Sequence, residues 1–538
     1  MSDASWFRRL SSAAHPQPTG GVCLTPCADS ANYTEAPDDV PSVIPNATGD
    51  HDFTRTPMTP STRLPQIIQG GMGIAVSNWT LARAVSQHGQ LGVVSGTAID
   101  TVIVRRLQDG DEGGHVRRAL RHFPIPRVAE DLLERYFLPD GRQPDEPYRL
   151  LPLLRQFMTP MRQQITMVAA FVEVWLAKEG HHGVVGVNLL TKIQMPTLPL
   201  LYGAMLADVD VILMGAGIPR EIPGVLDALS RHEAASIRFD VTGLPAGETQ
   251  FLTFDSREVN PEVSAPLHRP LFFPIVSAAS LAQTLARKSN GRVDGFVVEG
   301  PTAGGHNAPP RGALKVDERG EPIYGDRDVV DLGTMREIGL PFWLAGGVGS
   351  PEALQHALAE GAAGIQVGTL FAFSDESGFT DPIKRDVIDG ALSDAIRVRT
   401  DVRASPTGYP FKVIVADDDS PAFAPRDRLC DLGYLREAVR REDGAIIYRC
   451  PAEPVQQYLA KGGAIEDTVN RQCLCNALCA GIGEAQVRDD GTEEPAIITS
   501  GDDVLHLGRF LQGRKHYSAG DVLSFLTTPH AALAIDGT

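Results

Sequence analysis

Between Leu64 and about residue 375 the chain repeats one pattern eight times: a short apolar, β-branched run, a glycine-bearing turn, then a helix-forming segment. The runs are LPQIIQG (64–70), LGVVSG (91–96), VVGVNLL (184–190), VDVILMG (209–215), LFFPIVS (271–277), DGFVVEG (294–300), PFWLAGG (341–347) and AGIQVGT (363–369). Runs this short and this apolar read as strands buried on both faces, and their alternation with helices is the signature of parallel βαβ units. Among the helical segments, SNWTLARAVSQHG starts at a predicted cap, Ser77, and stops at Gly89, and SPEALQHALAEGA opens with Ser350 as cap and Pro351 in its first turn. PREIPGVLDALSRH and SAASLAQTLARKSNG supply two more. Eight such units predict an α/β fold, a (β/α)8 TIM barrel with a helical insertion after strand 2 and a C-terminal extension. A doubly wound open sheet is the competing arrangement, and it does not account for all eight repeats.

Around that barrel the chain divides into four expected parts. Residues 1–60 lack hydrophobic period and read as an irregular N-terminal arm. The barrel is expected over 61–375. Within it, residues 97–183 carry the amphipathic segments HVRRALRHF and RVAEDLLERYFL and are expected to form a helical lid. A hairpin-like excursion is expected around RFDVTGL and QFLTFDS. Residues 376–538 form a separate helical and irregular region, with helices expected near DPIKRDVIDGALSDAI and DDVLHLGRFLQG.

Composition narrows the function. A net charge of −18 leaves no concentrated positive surface to track phosphates, which excludes a nucleic-acid binder. No run approaches the ~20 apolar residues of a membrane span, and the N-terminal stretch has no signal-peptide pattern, so no membrane partner and a cytoplasmic location are expected. Seven cysteines, an odd number, fit a reducing compartment. Cys473, Cys475 and Cys479 lie close together, with Cys450 as a nearby fourth thiol, but without paired C-x-x-C spacing they are expected to be free buried thiols rather than metal ligands.

The strand ends carry the chemistry, because barrel enzymes place their sites at the C-terminal ends of the strands. Gly70 to Gly73, Asn188, Gly215 to Gly217, Ser277, Glu299 with Gly300, Gly346 with Gly347, and Gln366 to Thr369 fall there. AGGVGSPEAL and QVGTLF follow strands seven and eight, the usual phosphate grip of this fold, so Gly346, Gly347 and Gly368 with the Thr369 hydroxyl are expected to hold one phosphate. No G-x-G-x-x-G with a downstream acid is placed for a dinucleotide. His306, in EGPTAGGHNAPPRG directly after the sixth strand, is the imidazole expected to face the ligand.

QGGMGIAVSNWTLARAVSQHGQLGVVSG, GVVGVNLL, ILMGAGIP, VEGPTAGGH, LAGGVGSPEAL and AGIQVGTLF occur in this order on successive strand ends, and the set resembles the nitronate monooxygenase (2-nitropropane dioxygenase) family of FMN-dependent barrels and its flavin-type enoyl-ACP reductase relatives. The resemblance spans roughly residues 64 to 375. It implies FMN over the barrel mouth, with Gly71, Met72 and Asn188 along the ring and ribityl chain. Gly304 and Gly305 would allow close approach, Ser277 and Gln366 would join the cofactor set, and His306 would be the catalytic histidine. The implied activity is oxidation of alkyl nitronates with O2 to a carbonyl compound and nitrite. NAD(P)H-dependent reduction of an enoyl thioester is the alternative, and a non-redox phosphate-ligand barrel the second alternative. The partner in either enzyme reading is a small-molecule substrate; homo-oligomer formation is left open. NAPPRG after the histidine departs from the family, and its Arg311 is expected to offer a positive charge to an anionic ligand.

Overall fold

A computed structural model describes residues 64–259, 265–416, 423 and 426–528. The expected N-terminal arm, 1–60, lies outside the described residues. The eight predicted runs are the eight strands of one parallel sheet: β1 (Ile67–Gln69), β2 (Gly92–Ser95), β3 (Val185–Leu190), β4 (Val211–Gly215), β5 (Leu271–Val276), β6 (Phe296–Glu299), β7 (Phe342–Ala345) and β8 (Gly364–Val367). Each pairs with its sequence neighbour, and β1 pairs with β8, Ile67 opposite Ile365. Closure comes from Ile68 bridging Leu91, through Gln69 N–H to Leu91 O at 3.0 Å and Leu91 N–H to Ile67 O at 3.1 Å. The fold is a (β/α)8 barrel.

Alternation along each strand divides the apolar residues between two cores. Ile68, Val93, Val211, Leu213, Leu271, Phe273, Val297 and Trp343 fill the interior, where Phe273 and Trp343 meet at 4.9 Å and the indole N–H of Trp343 donates to Pro65 O at 2.9 Å. Their neighbours along the strands, such as Ile67, Val94, Ile212 and Phe272, face the surrounding helices. Polar strand ends therefore stand above a packed floor, which puts any ligand at the mouth.

Helix Trp79–Gln87 shows how the outer ring is built. Leu81, Ala82 and Val85 recur at helical spacing and are wholly buried against the sheet; each large one contributes about 1.5–3 kcal/mol. Its cap is Asn78, whose side chain accepts the Leu81 N–H at 3.0 Å, and not Ser77 as expected. Ser77 Oγ is instead spent on Gly70 O and on the Met72 N–H, bracing the first strand-end turn. Ser350 caps Pro351–Ala359 through the Ala353 N–H, as expected.

The 97–183 segment ends in helix Pro160–Lys178, the ring helix between β2 and β3. Gly203 lets the next ring helix, Thr197–Leu206, approach it closely: a Cβ there would lie 1.9 Å from Met167 O. Helices Ile99–Gln108, His115–Leu120 and Pro126–Tyr136 pack on the outer side of Pro160–Lys178. The expected hairpin forms between Ala235–Phe239 and Gln250–Phe254. The C-terminal region holds the expected helices, Asp381–Leu392 and Leu507–Leu511, together with two antiparallel pairs that the sequence reading did not contain, Ile396–Asp401 with Phe411–Ala416 and Glu437–Arg440 with Ile446–Arg449. Its last described helix, Ala519–Leu526, packs against both Trp79–Gln87 and Pro351–Ala359 and so fills the eighth place in the ring. No helix among the described residues is long and apolar enough to cross a membrane.

Candidate active site

One large cavity, about 1460 Å³ including its opening, sits over the strand ends. It gathers Gly71, Met72, Asn188, Gly304, Gly305, His306, Gly346, Gly347, Gln366, Gly368 and Thr369. Ser277 is not among them. It lines a small separate cavity with Glu299, Pro301, Tyr324 and Arg311, whose guanidinium donates to Ser277 O at 2.8 Å. Arg311 is exposed there and does not line the main cavity, so the positive charge expected of it is spent on a backbone carbonyl.

Along the β7 and β8 turns the backbone presents donors without acceptors. Gly346 and Gly347 take φ of +89° and +65°, a left-handed pair that L side chains resist and that turns consecutive N–H groups to one side. The Gly346 N–H continues the β7–β8 ladder, and among the described residues the N–H groups of Gly347, Val348, Gly368 and Thr369 make no protein hydrogen bond. Thr369 is buried, Val348 and Gly368 are half-buried and Gly347 is exposed, so these donors stand at the open mouth, where they are free to bind an anion. The Gly349 N–H is the exception and donates to Asp503 Oδ2 at 3.0 Å. Burial pushes the Asp503 carboxyl above its ordinary range despite that bond, which lessens its repulsion of a neighbouring anion.

Across the mouth, Asn188 Nδ2 donates to Gly71 O at 2.9 Å, while its Oδ1 is buried without a partner. Gly71 has to be glycine, since a Cβ would lie 2.2 Å from Asn188 Cβ. An orphaned acceptor on one wall and a donor array on another suit a ligand with an N–H edge and an anionic group.

His306 is held from three sides. The Asn307 N–H donates to Pro410 O and the Lys412 N–H to Gly305 O, both at 2.9 Å, clasping the turn against strand Phe411–Ala416. The Gly305 N–H donates to Thr499 Oγ1 at 2.9 Å, and Phe411 meets the ring edge-on at 4.8 Å. The ring's Nε2 shares a 2.7 Å hydrogen bond with Ser405 Oγ, leaving Nδ1 as the nitrogen without a protein partner. Burial lowers its pKa to about 4, so the imidazole is neutral at pH 7. Burial likewise raises Glu299, at the end of β6, to about 8, so its carboxyl keeps its proton. Among the described residues, neither Lys nor Arg lines the cavity.

The roof is the C-terminal region, not the 97–183 segment, of which only Thr97 and Ala98 reach the cavity. Phe379, Phe411, Leu435, Leu474 and Leu478 give it an apolar underside. A buried polar knot holds it down: the Tyr434 hydroxyl donates to Asp100 Oδ1, while Arg162 and Thr166 donate to Oδ2 at 2.6 and 2.8 Å. Burial alone would raise the Asp100 carboxyl; Arg162 and these hydrogen bonds outweigh it and hold the pKa below its ordinary value. Ser405, Tyr434, Thr499 and Asp503 are the site residues that sequence reasoning missed. They come from a region without βα period, and no local pattern marks them.

Cys475 also borders the cavity, and Cys430, Cys450, Cys473 and Cys475 line a small void beside it. Among the described residues no group of His, Cys, Asp and Glu is arranged to hold a metal ion. Burial raises Cys475 and Cys479 to about 12, so both stay thiols.

Residues 243–417 match the family model described as Nitronate monooxygenase. A "Probable nitronate monooxygenase" of Staphylococcus saprophyticus is 28% identical over 160 residues, 29% of this chain and 43% of that protein. The (3aS,4S,5R,7aS)-5-hydroxy-7a-methyl-1-oxo-octahydro-1H-indene-4-carboxyl-CoA dehydrogenase of Rhodococcus jostii is 30% identical over 144 residues, 27% of this chain and 34% of that protein. Among solved structures, nitroalkane oxidase from Streptomyces ansochromogenes aligns at 17% identity with a TM-score of 0.42, covering 87% of this chain and 96% of that one. The chain thus spans less than half the length of these curated relatives. The family match takes in three of the six blocks, VEGPTAGGH, LAGGVGSPEAL and AGIQVGTLF, and runs past the barrel to residue 417, including Ser405.

Proposed function

We propose, on the premise that this chain is a relative of the nitronate monooxygenase family, that it is an FMN-dependent oxidoreductase whose substrate lies between the barrel mouth and the C-terminal roof. The observation that carries the reading is the pairing, at one mouth, of four turn amides unbonded among the described residues with the orphaned Asn188 acceptor, beside a fixed imidazole. Gly346, Gly347, Gly368 and Thr369 would hold the phosphate, and Gly71, Met72 and Asn188 the ring system. Bound FMN would supply reversible storage of electrons, which no side chain here can provide.

The lining favours one substrate class. Among the described residues, an anionic nitronate entering this cavity would find a neutral histidine, a protonated Glu299 and no Lys or Arg to offset its desolvation. An uncharged, apolar, conjugated substrate is suited to the Phe379, Phe411, Leu474 and Leu478 surface. Reduction of an enoyl thioester with NAD(P)H as electron donor is therefore the reading this geometry supports best. His306 would orient the carbonyl or deliver the proton that reduction consumes. The CoA dehydrogenase similarity is in keeping with a thioester. Nitronate oxidation is the second reading, favoured by the family match over 243–417.

The test is spectroscopic. FMN-loaded protein is mixed anaerobically with NADPH and, separately, with propyl nitronate. Bleaching by NADPH, reversed by a short enoyl thioester, is expected. Bleaching by nitronate alone, with nitrite formed when oxygen is admitted, would transfer the assignment to the second reading. Failure to take up FMN at all would leave a phosphate-ligand barrel.

A further inference from the structure

His306 Nε2 bonds to Ser405 Oγ at 2.7 Å, and Ser405 Oγ bonds to Thr407 Oγ1 at 2.8 Å. Ser405 is completely buried, whereas Thr407 is half-buried and lines a second cavity together with Lys192, Asp240, Asp467 and Arg471. The hydroxyl pair thus joins the active-site imidazole to a polar, solvent-facing cavity on the far side of the roof. We propose that His306, Ser405 and Thr407 form a proton relay, through which the ring exchanges protons with water in the second cavity while the substrate covers its other face. The proposal rests on the oxidoreductase reading above and holds for either direction of proton flow.

Hydrogen-bond capacity supports it. Ser405 Oγ accepts the Thr407 N–H at 3.2 Å and has one hydrogen of its own, which it can give either to His306 Nε2 or to Thr407 Oγ1. In one arrangement Thr407 donates to Ser405, Ser405 donates to Nε2, and the ring carries its hydrogen on Nδ1. In the other every bond is reversed: Nε2–H donates to Ser405, Ser405 to Thr407, and Nδ1 is bare. Passing from the first to the second gives the Nδ1 proton to substrate and takes one proton from water at Thr407. No bond is left broken, and no charge accumulates. Because burial disfavours the imidazolium, transfer through a ring that stays neutral avoids the state the site makes costly. Once product has left, Nδ1 takes a proton from water in the opened mouth while Nε2 returns its proton through Ser405 and Thr407 to water in the second cavity, which restores the starting state.

The frame around the pair is fixed. The Arg471 guanidinium donates to Ser405 O, the Tyr409 N–H reaches Thr407 Oγ1 at 3.4 Å, and the Lys192 ammonium lies 5.5 Å from the Tyr409 ring centre. The charged groups lining the cavity at the outer end are Lys192, Arg436, Arg449 and Arg471 with Asp240, Glu437 and Asp467, a nearly balanced polar wall that keeps water there.

Thr407→Val keeps the shape and removes the outer hydroxyl; Thr407→Ser restores it. Two readouts are taken on FMN-loaded full-length protein: exchange of the His306 ring N–H with water, by ¹⁵N NMR of histidine-labelled protein, and turnover in H2O and D2O. Thr407→Val is expected to slow ring exchange at least roughly tenfold and to lower turnover with a changed solvent isotope effect. Thr407→Ser should recover both, at unchanged flavin content. Exchange as fast in Thr407→Val as in the natural protein overturns the relay. Normal relay behaviour in the NMR readout, with no turnover on any tested substrate, overturns the oxidoreductase reading and leaves the relay standing.

Discussion

Glu299 at the end of β6 gives the sharpest quantitative test of how dry the cavity is. Among the described residues its carboxyl makes no hydrogen bond or ion pair, and burial alone lifts its pKa from the ordinary 4.5 to about 8. Between those values the folded protein binds a proton that the unfolded chain has released, so stability falls as pH rises and the contribution is lost through the folded pKa. At about 1.4 kcal/mol per unit, the full shift amounts to about 5 kcal/mol, of which about 3 kcal/mol is lost between pH 6 and pH 9. Water in an open cavity screens a side chain on its wall, so these figures are the ceiling reached when FMN fills the mouth. Glu299→Gln removes the titration and nearly preserves the shape. Urea unfolding of the FMN-loaded proteins should then show the variant gaining on the natural protein with rising pH, by up to about 3 kcal/mol from pH 6 to 9. Curves that stay parallel within about 0.5 kcal/mol would refute a buried neutral carboxyl and, with it, a dry apolar site.

Replacing His306 by Ala should leave FMN binding within about threefold of the natural protein and lower turnover by about 10²-fold or more, as general acid catalysis is lost; flavin titration and steady-state rates check this. Because His306 titrates near 4, the natural protein's kcat/KM should show no limb at pH 6 to 7 from this group, and a limb centred at 6.5 that vanishes in His306→Ala would contradict the burial argument. Gly347→Ala forces a Cβ to 2.9 Å from Thr302 Oγ1 at a φ of +65°, so FMN should bind at least tenfold more weakly by fluorescence titration, with the fold intact by circular dichroism. Tyr434→Phe takes a donor from buried Asp100 and should lower the unfolding free energy by about 1–3 kcal/mol in urea.

The barrel was legible because its signal is local and repeated. Each strand had to be short, apolar on both faces and followed by a glycine-bearing turn, and VVGVNLL or PFWLAGG satisfies this without reference to anything distant. The strand-end residues followed from the same reading, since the fold fixes which end carries chemistry. Ser277 shows where that rule runs out. It does stand at the end of β5, but Arg311 occupies its carbonyl and the loop after β6 partitions it into a separate cavity. Ser77 failed as a cap for a related reason: a hydroxyl at a helix start can be claimed by tertiary contacts, here Gly70 and Met72, while the neighbouring Asn78 serves the helix.

The roof was illegible because what places its residues is contact across the chain. Ser405 reaches His306 over 99 positions and Tyr434 reaches Asp100 over 334, and neither partner is implied by spacing or period. The amphipathic segments of the insertion 97–183 predict a helical lid; in the structure those helices instead cover the apolar helix Pro160–Lys178, a need that the barrel's own ring creates. Once that helix is accounted for, the lid must come from elsewhere, and the C-terminal region brings more than a cover. It clasps the His306 turn through Pro410, Lys412 and Thr499, supplies the hydroxyl on Nε2, and lays Asp503 against the turn after β7. Without residues 376–528 the strand ends would keep their glycines, but the barrel would lose its eighth ring helix and with it any means of fixing the imidazole or drying the cavity.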